Sequence, residues 1–271
     1  MRPHGGAHLA ELKIRLSLLP LIVLFSAAGG IASAAFAVVF LWVREEQSGL
    51  ILPHFVSFAT GALLGAALLA LLPEAVRAAG PDHATAIGLA ILIGLGVFFI
   101  IEKLVLWWHA AKHSAQEPHS REQASGALVL VGDSLHNALD GVLIAAAFLT
   151  SVSLGVVTTV AVAAHEIPHR VGDFAILVQA GFSRQRALLL NCATGVASVI
   201  GAVAAYLGLR AALGMLPYAL ALAAGGFLYI ALASLVPSLL RRTDPRISAV
   251  QLLLMSAGVA VIACAEYLTG E

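Results

Sequence analysis

The chain has 271 residues, 60% of them hydrophobic and only 11% charged, with a mean hydropathy of +0.96. A water-soluble domain carries roughly 25% charged residues, so water is not the main solvent of this one. Its formal net charge of zero argues against a nucleic-acid partner, and Cys192 and Cys264, single and without CxxC spacing, read as small core residues rather than a disulfide framework or thiolate metal site.

Apolar stretches recur along the whole length, so residues 1–271 read as one membrane domain with no soluble one. A spanning helix needs about 20 mostly apolar residues, because in lipid the backbone must satisfy its own hydrogen bonds. The pattern predicts an all-α integral membrane protein with eight spans, near 16–43, 53–76, 86–107, 126–149, 153–179, 185–208, 214–240 and 248–268. The first span has a rival reading as a signal peptide cleaved after Ile31-Ala32-Ser33-Ala34. Its apolar run continues to Val43, beyond a signal core of roughly 7–15 residues, so a retained span is expected. Residues 44–49 read as a polar loop, Ala79-Gly80-Pro81-Asp82-His83 as a turn, and 241–246 as a basic loop ending in a proline turn. The one long loop, 109–125, contains His109, His113 and His119. It reads as a solvated cytoplasmic linker, or as a weak metal-collecting loop.

Loops after the odd-numbered spans hold Arg44; Lys103, Lys112 and Arg121; Arg184 and Arg186; Arg241, Arg242 and Arg246. Loops after the even-numbered spans hold only Arg77 and Arg210. Positive charge marks the cytoplasmic side, so both termini are expected outside, although Arg2, Lys13 and Arg15 before the first span pull the other way. The compact loops and the absence of an organellar signal lead us to expect the plasma (inner) membrane of a prokaryote.

Ionisable residues inside a bilayer are costly and usually mark function. Here they concentrate in the fourth and fifth spans. In the fourth, His136 and Asp140 stand four apart on one helical face with Asn137 beside them. In the fifth, His165, His169 and Asp173 repeat at the same spacing, with Glu166 adjacent. Three imidazoles and a carboxylate from two neighbouring helices supply a four-coordinate N/O site suited to zinc. Iron, manganese, cobalt and cadmium also accept such ligands. Pro168 removes an amide donor and crowds the carbonyl of Ala164, so a kink is expected beside the ligands. The bland alternative is a polar network that only holds helices together.

At these residues the chain resembles the ZIP transporter family, in particular its subgroup with a HEIPHE motif. The fourth span reads HNALDG (136–141) and the fifth HEIPHRVGDFAIL (165–177). Residues 58–75, FATGALLGAALLALLPEA, and 224–237, AGGFLYIALASLVP, are similar to that group's second and seventh spans. The resemblance implies an eight-helix bundle, outside termini and uptake towards the cytoplasm, with the metal ion as substrate, membrane lipid as surroundings and no organic cofactor. A homodimer is compatible with it. It also implies a primary site of His136, Asp140, His165 and His169, and an adjoining one lined by Asn137, Asp140, Glu166 and His169, with Asp140 bridging. The chain departs from the pattern at Arg170, where the subgroup has Glu. It departs again at Ala66 and Ala70, and at Ser234 and Ser238, where polar or acidic residues are usual. A fixed cation at Arg170 would repel a second ion or pair with Glu166 or Asp173, so one well-formed site is expected and a second weakened or absent.

Two rival functions remain. His165-Glu166-Ile167-Pro168-His169 fits the HExxH of zinc proteases, and Leu139-Asp140-Gly141 is similar to an intramembrane protease motif. There, however, the Asp motif follows HExxH, and an open zinc position is needed that His136 would fill. No enzymatic activity is therefore expected. The altered auxiliary positions leave a non-transporting metal-binding scaffold or sensor as the other rival.

Overall fold

A computed structural model describes residues 18–30, 33–34, 45–113, 118–179, 181–241 and 244–269. Among the described residues the chain is almost wholly helical and has no strand. Helix α1 (Leu18–Gly30) is followed by α2 (Glu45–Gly65), a π-helical segment (Ala66–Leu71) and α3 (Leu72–Ala79), running as one column. Next come α4 (Ala84–His113), α5 (Pro118–Thr150), α6 (Val152–Gln179) and α7 (Arg184–Ala211). Helix α8 (Leu216–Tyr229), a second π segment (Ile230–Leu235) and α9 (Val236–Leu240) make another column, and α10 (Pro245–Thr269) closes the chain.

Among the described residues, five stretches are long and apolar enough to cross a membrane: Leu52–Ala79, Pro81–Leu104, Arg184–Leu209, Leu216–Leu240 and Pro245–Leu268. Helices α5 and α6 are as long, at 33 and 28 residues. Their polar side chains in mid-helix lower the mean hydropathy. Large apolar side chains on the outer faces, such as Leu92, Ile200, Leu252 and Leu253, are exposed, as lipid-facing residues must be.

The helices extend further than the apolar pattern indicated. Helix begins at Glu45, inside the stretch read as a loop. The 109–125 stretch is helical to His113 and again from Pro118. Glu, Gln, Ala and Lys are good helix formers, and Pro118 sits at a helix start, where its missing N–H costs nothing. The side chains of His109, His113 and His119 fall outside the described residues, as do residues 35–44. Two expected turns are present. After α3, the Gly80 N–H donates to the Val76 carbonyl (3.0 Å) with φ at +86°, a conformation that favours glycine at a helix C-terminus. Before α10, Asp244 Oδ1 accepts from the backbone N–H groups of Arg246 (2.8 Å) and Ile247 (3.3 Å), capping the helix.

Among the described residues, three helix pairs cross so closely that an added Cβ would overlap the facing backbone. A Cβ added at Gly141 would overlap the Ser198 backbone, and one at Gly201 the Ala138 backbone, which joins α5 to α7. Gly61 and Gly258 bring α2 and α10 together in the same way, and Gly94 and Gly225 do so for α4 and α8. Only small residues allow such approach between membrane helices. Helix α6 packs against α5 and α2 and also touches α7 and α10. This arrangement buries its ligand-bearing face.

Candidate metal centre

Helical periodicity puts His136 and Asp140 a turn apart on α5, and His165 and Glu166 on the face of α6 that meets them. Among the described residues, His136, Asp140, His165 and Glu166 each offer one ligand atom, and the four lie within 4.8 Å of one another. His136 Nε2 is 3.3 Å from His165 Nε2. Asp140 Oδ2 is 3.4 Å from His165 Nε2 and 3.7 Å from His136 Nε2. Glu166 Oε1 lies 3.6 Å from His136 Nε2 and 4.0 Å from His165 Nε2. Zinc–nitrogen bonds of about 2.05 Å in tetrahedral geometry place ligand atoms about 3.3 Å apart. Three of the spacings are within a few tenths of an ångström of that value, so a small inward adjustment would close the shell.

The surroundings favour ligation over mutual hydrogen bonding. His165 Nδ1 lies 3.1 Å from the Ala161 carbonyl, which can only accept. The ring therefore carries its proton on Nδ1 and turns the Nε2 lone pair to the cluster. Asp140 and His165 are fully buried, and neither Asp140 oxygen has a hydrogen-bond partner. A buried carboxylate without donors is expensive, and a cation between the four groups would offset that cost. Phe98 stands edge-on to His136 at 6.0 Å, and Phe227 packs at 6.1 Å from His165, closing the flanks with apolar rings.

His169 stands one turn from His165 but outside this group of four. Its ring centre is 5.4 Å from that of His136 and 6.2 Å from that of His165, and its Nε2 is buried without a partner. It lines a cavity of about 630 Å³ that runs past Asp133, Asp173, Glu102 and Tyr229 to Ser238 and Arg241 at the end of α9. At the side of that cavity the Tyr229 hydroxyl donates to Glu102 Oε2 (2.7 Å). Helix α6 continues through Pro168.

Asn137 and Glu166 also face Arg170. The guanidinium is fully buried. Its Nη2 donates to Asn137 Oδ1 (2.6 Å), and its Nε is 2.9 Å from Glu166 Oε2. Its Nη1 donates to Asp133 Oδ2 (2.8 Å), the Asn191 carbonyl (2.7 Å), Asn191 Oδ1 (3.0 Å) and Thr194 Oγ1. Asn191 Nδ2 returns a bond to the Arg170 carbonyl (2.8 Å), and Asn137 Nδ2 donates to Asp133 Oδ1 (2.9 Å). The carboxylate partners are thus Glu166 and Asp133, whereas Asp173 lines the cavity. Sequence reasoning missed Asp133, Asn191 and Thr194. The available signal was an amide, Asn191, inside an otherwise apolar span, where polar side chains normally find partners across helices. Of the other departures, Ala66 and Ala70 are buried in the first π segment. Ser238 donates to the Leu235 carbonyl (2.7 Å) beside the cavity, and the Ser234 side chain falls outside the described residues.

An all-helical membrane protein with histidine and carboxylate ligands converging from two spans defines an intramembrane metal-binding class. The family model for the ZIP zinc transporters matches residues 12–127 and 109–266. Zinc transporter ZIP13 of Pongo abelii is 39% identical over 236 residues, covering 81% of this chain and 68% of that protein. Zinc transporter ZIP13 of Homo sapiens is 34% identical, covering 81% and 72%, and zinc transporter SLC39A7 of Rattus norvegicus is 30% identical, covering 88% and 70%. The chain belongs to the ZIP zinc transporter family. That membership weighs against the protease reading. These relatives are animal proteins and lend no support to the expectation of a prokaryotic inner membrane.

Proposed function

We propose that this chain carries zinc across a membrane in eight spans, binding the ion at His136, Asp140, His165 and Glu166. The observation that carries the reading is the convergence of these four ligand atoms from α5 and α6 within 4.8 Å, with both Asp140 oxygens lacking hydrogen-bond donors. A bare divalent ion in lipid is prohibitive, so the ligands replace its water shell while it crosses. His169, which lines the cavity together with His136, takes the ion next and joins the shell as it leaves. Arg241, in one of the basic loops, also lines the cavity. Under the positive-inside rule the Arg241 side is cytoplasmic, which fits release of the ion inward. Iron, manganese, cobalt and cadmium suit the same donor set less selectively.

Rocking or sliding of helix groups would open the site to each side in turn, and the glycine crossings bind α5 to α7, and α2 to α10, as units that could move together. The specific observation favouring a sensor is the burial of Ala66 and Ala70, which leaves no polar relay at those positions. Zinc-65 uptake into proteoliposomes, compared with an Asp140→Ala, His165→Ala double variant, separates the two. Saturable uptake that the double variant loses is the expected result. An intact chain that binds zinc but moves none would overturn the carrier reading in favour of the sensor.

A further inference from the structure

We propose that Arg170 is a built-in cation standing where a second divalent ion would otherwise bind, so that the centre holds one ion at a time. The inference rests on the metal-site reading above and adds its stoichiometry.

The first ground is competition for the same oxygens. Glu166 faces two ways, with Oε1 3.6 Å from His136 Nε2 and Oε2 2.9 Å from Arg170 Nε. Asn137 Oδ1, the next oxygen available to an adjoining ion, is 2.6 Å from Arg170 Nη2. An ion ligated by Glu166 and Asn137 would have to displace the guanidinium from both.

The second ground is that the guanidinium has a receptor of its own. Asp133 from α5, and Asn191 and Thr194 from α7, all take bonds from Nη1, while Asn191 Nδ2 holds the Arg170 backbone carbonyl. A side chain that merely balanced Glu166 would not need acceptors from a third helix. Their placement fixes the cation beside the metal ligands with no exposed surface.

The third ground is charge. With neutral imidazoles, as metal ligation requires, Asp133, Asp140 and Glu166 set against Arg170 leave a net charge of minus two. One divalent ion neutralises the buried cluster, whereas two would leave an excess of two positive charges in a medium that screens poorly. Asp173 stands outside this ion-paired set, on the cavity wall.

The test is zinc stoichiometry of the full-length protein in detergent, by metal analysis after equilibrium dialysis against zinc alone. The intact chain is expected to bind one zinc per molecule, Arg170→Lys to bind one, and Arg170→Glu to bind two, since a fourth carboxylate restores the balance for a second ion. Two zinc ions on the intact chain overturn the proposal. So does a folded Arg170→Glu protein, with unchanged elution and one retained high-affinity site, that still binds one. Should Arg170→Glu fail to fold, zinc-edge anomalous diffraction from the intact protein decides. One peak at His136 and His165 supports the proposal, and a second peak between Glu166 and Asn137 refutes it. An intact chain that binds no zinc refutes the metal-site reading itself, and with it this inference.

Discussion

Asp140→Asn isolates the charge of the carboxylate at the heart of the centre while keeping its shape and one ligand oxygen. In the native chain Asp140 Oδ2 approaches both His136 and His165, and the residue is fully buried. With zinc bound, the carboxylate charge would lie about 2.5 Å from a charge of +2. Even at the dielectric constant of bulk water that attraction is about 3 kcal/mol, or about two orders of magnitude in affinity. This is a lower bound, because a buried site screens less. Competition against a chromophoric chelator should therefore show a zinc Kd at least ~100-fold weaker. The metal-free variant should melt no lower than the native chain, since it relieves a buried carboxylate that has no hydrogen-bond partner. Weak binding with undiminished stability identifies a ligand and not a folding defect. An affinity within about threefold of the native value would refute the placement of Asp140 in the shell, because no screening could hide so large a term.

Uptake should weaken on acidification, because the imidazole ligands must be neutral to accept the ion; a flat flux profile between roughly pH 5 and 8 would count against the imidazole shell. Gly201→Leu should lower the melting temperature, costing about 1–3 kcal/mol, because its side chain would meet the Ala138 backbone at the α5–α7 crossing. Gly208→Ala, with nothing within 4 Å of the new Cβ, should leave stability equal or slightly higher. Identical thermal unfolding of these two variants would contradict the close crossing.

The departure at Arg170 shows how far local reasoning reaches. Membrane residence and helical class follow from composition, since lipid offers the backbone no partners other than its own chain. The juxtaposition of His136 with Asp140, and of His165 with His169, follows from the 3.6-residue turn. Those relations concern residues within one helix, and one helix is all they need. That Arg170 required a carboxylate partner was also legible, from the cost of an unpaired buried charge. Its choice of Asp133 over Asp173 was not, and neither was the contribution of Asn191 and Thr194.

The extents of α4 and α5 were underestimated for a related reason. Apolarity reports where lipid begins and ends, whereas a helix continues as long as its backbone bonds and propensities allow. The histidines were likewise legible as candidate ligands, but their grouping was not. The tertiary structure brings Glu166 into the first cluster and leaves His169 on the cavity wall. That difference depends on the rotation of α6 against α5, which no property of either helix alone sets. It is decided by packing, through α6 lying between α5 and α2, and through backbone contacts such as Gly141 with Ser198, far apart along the chain. The amino-acid sequence by itself determined which side chains could hold a metal ion. Only the assembled helices decided which of them meet, and which instead enclose a cation belonging to the protein.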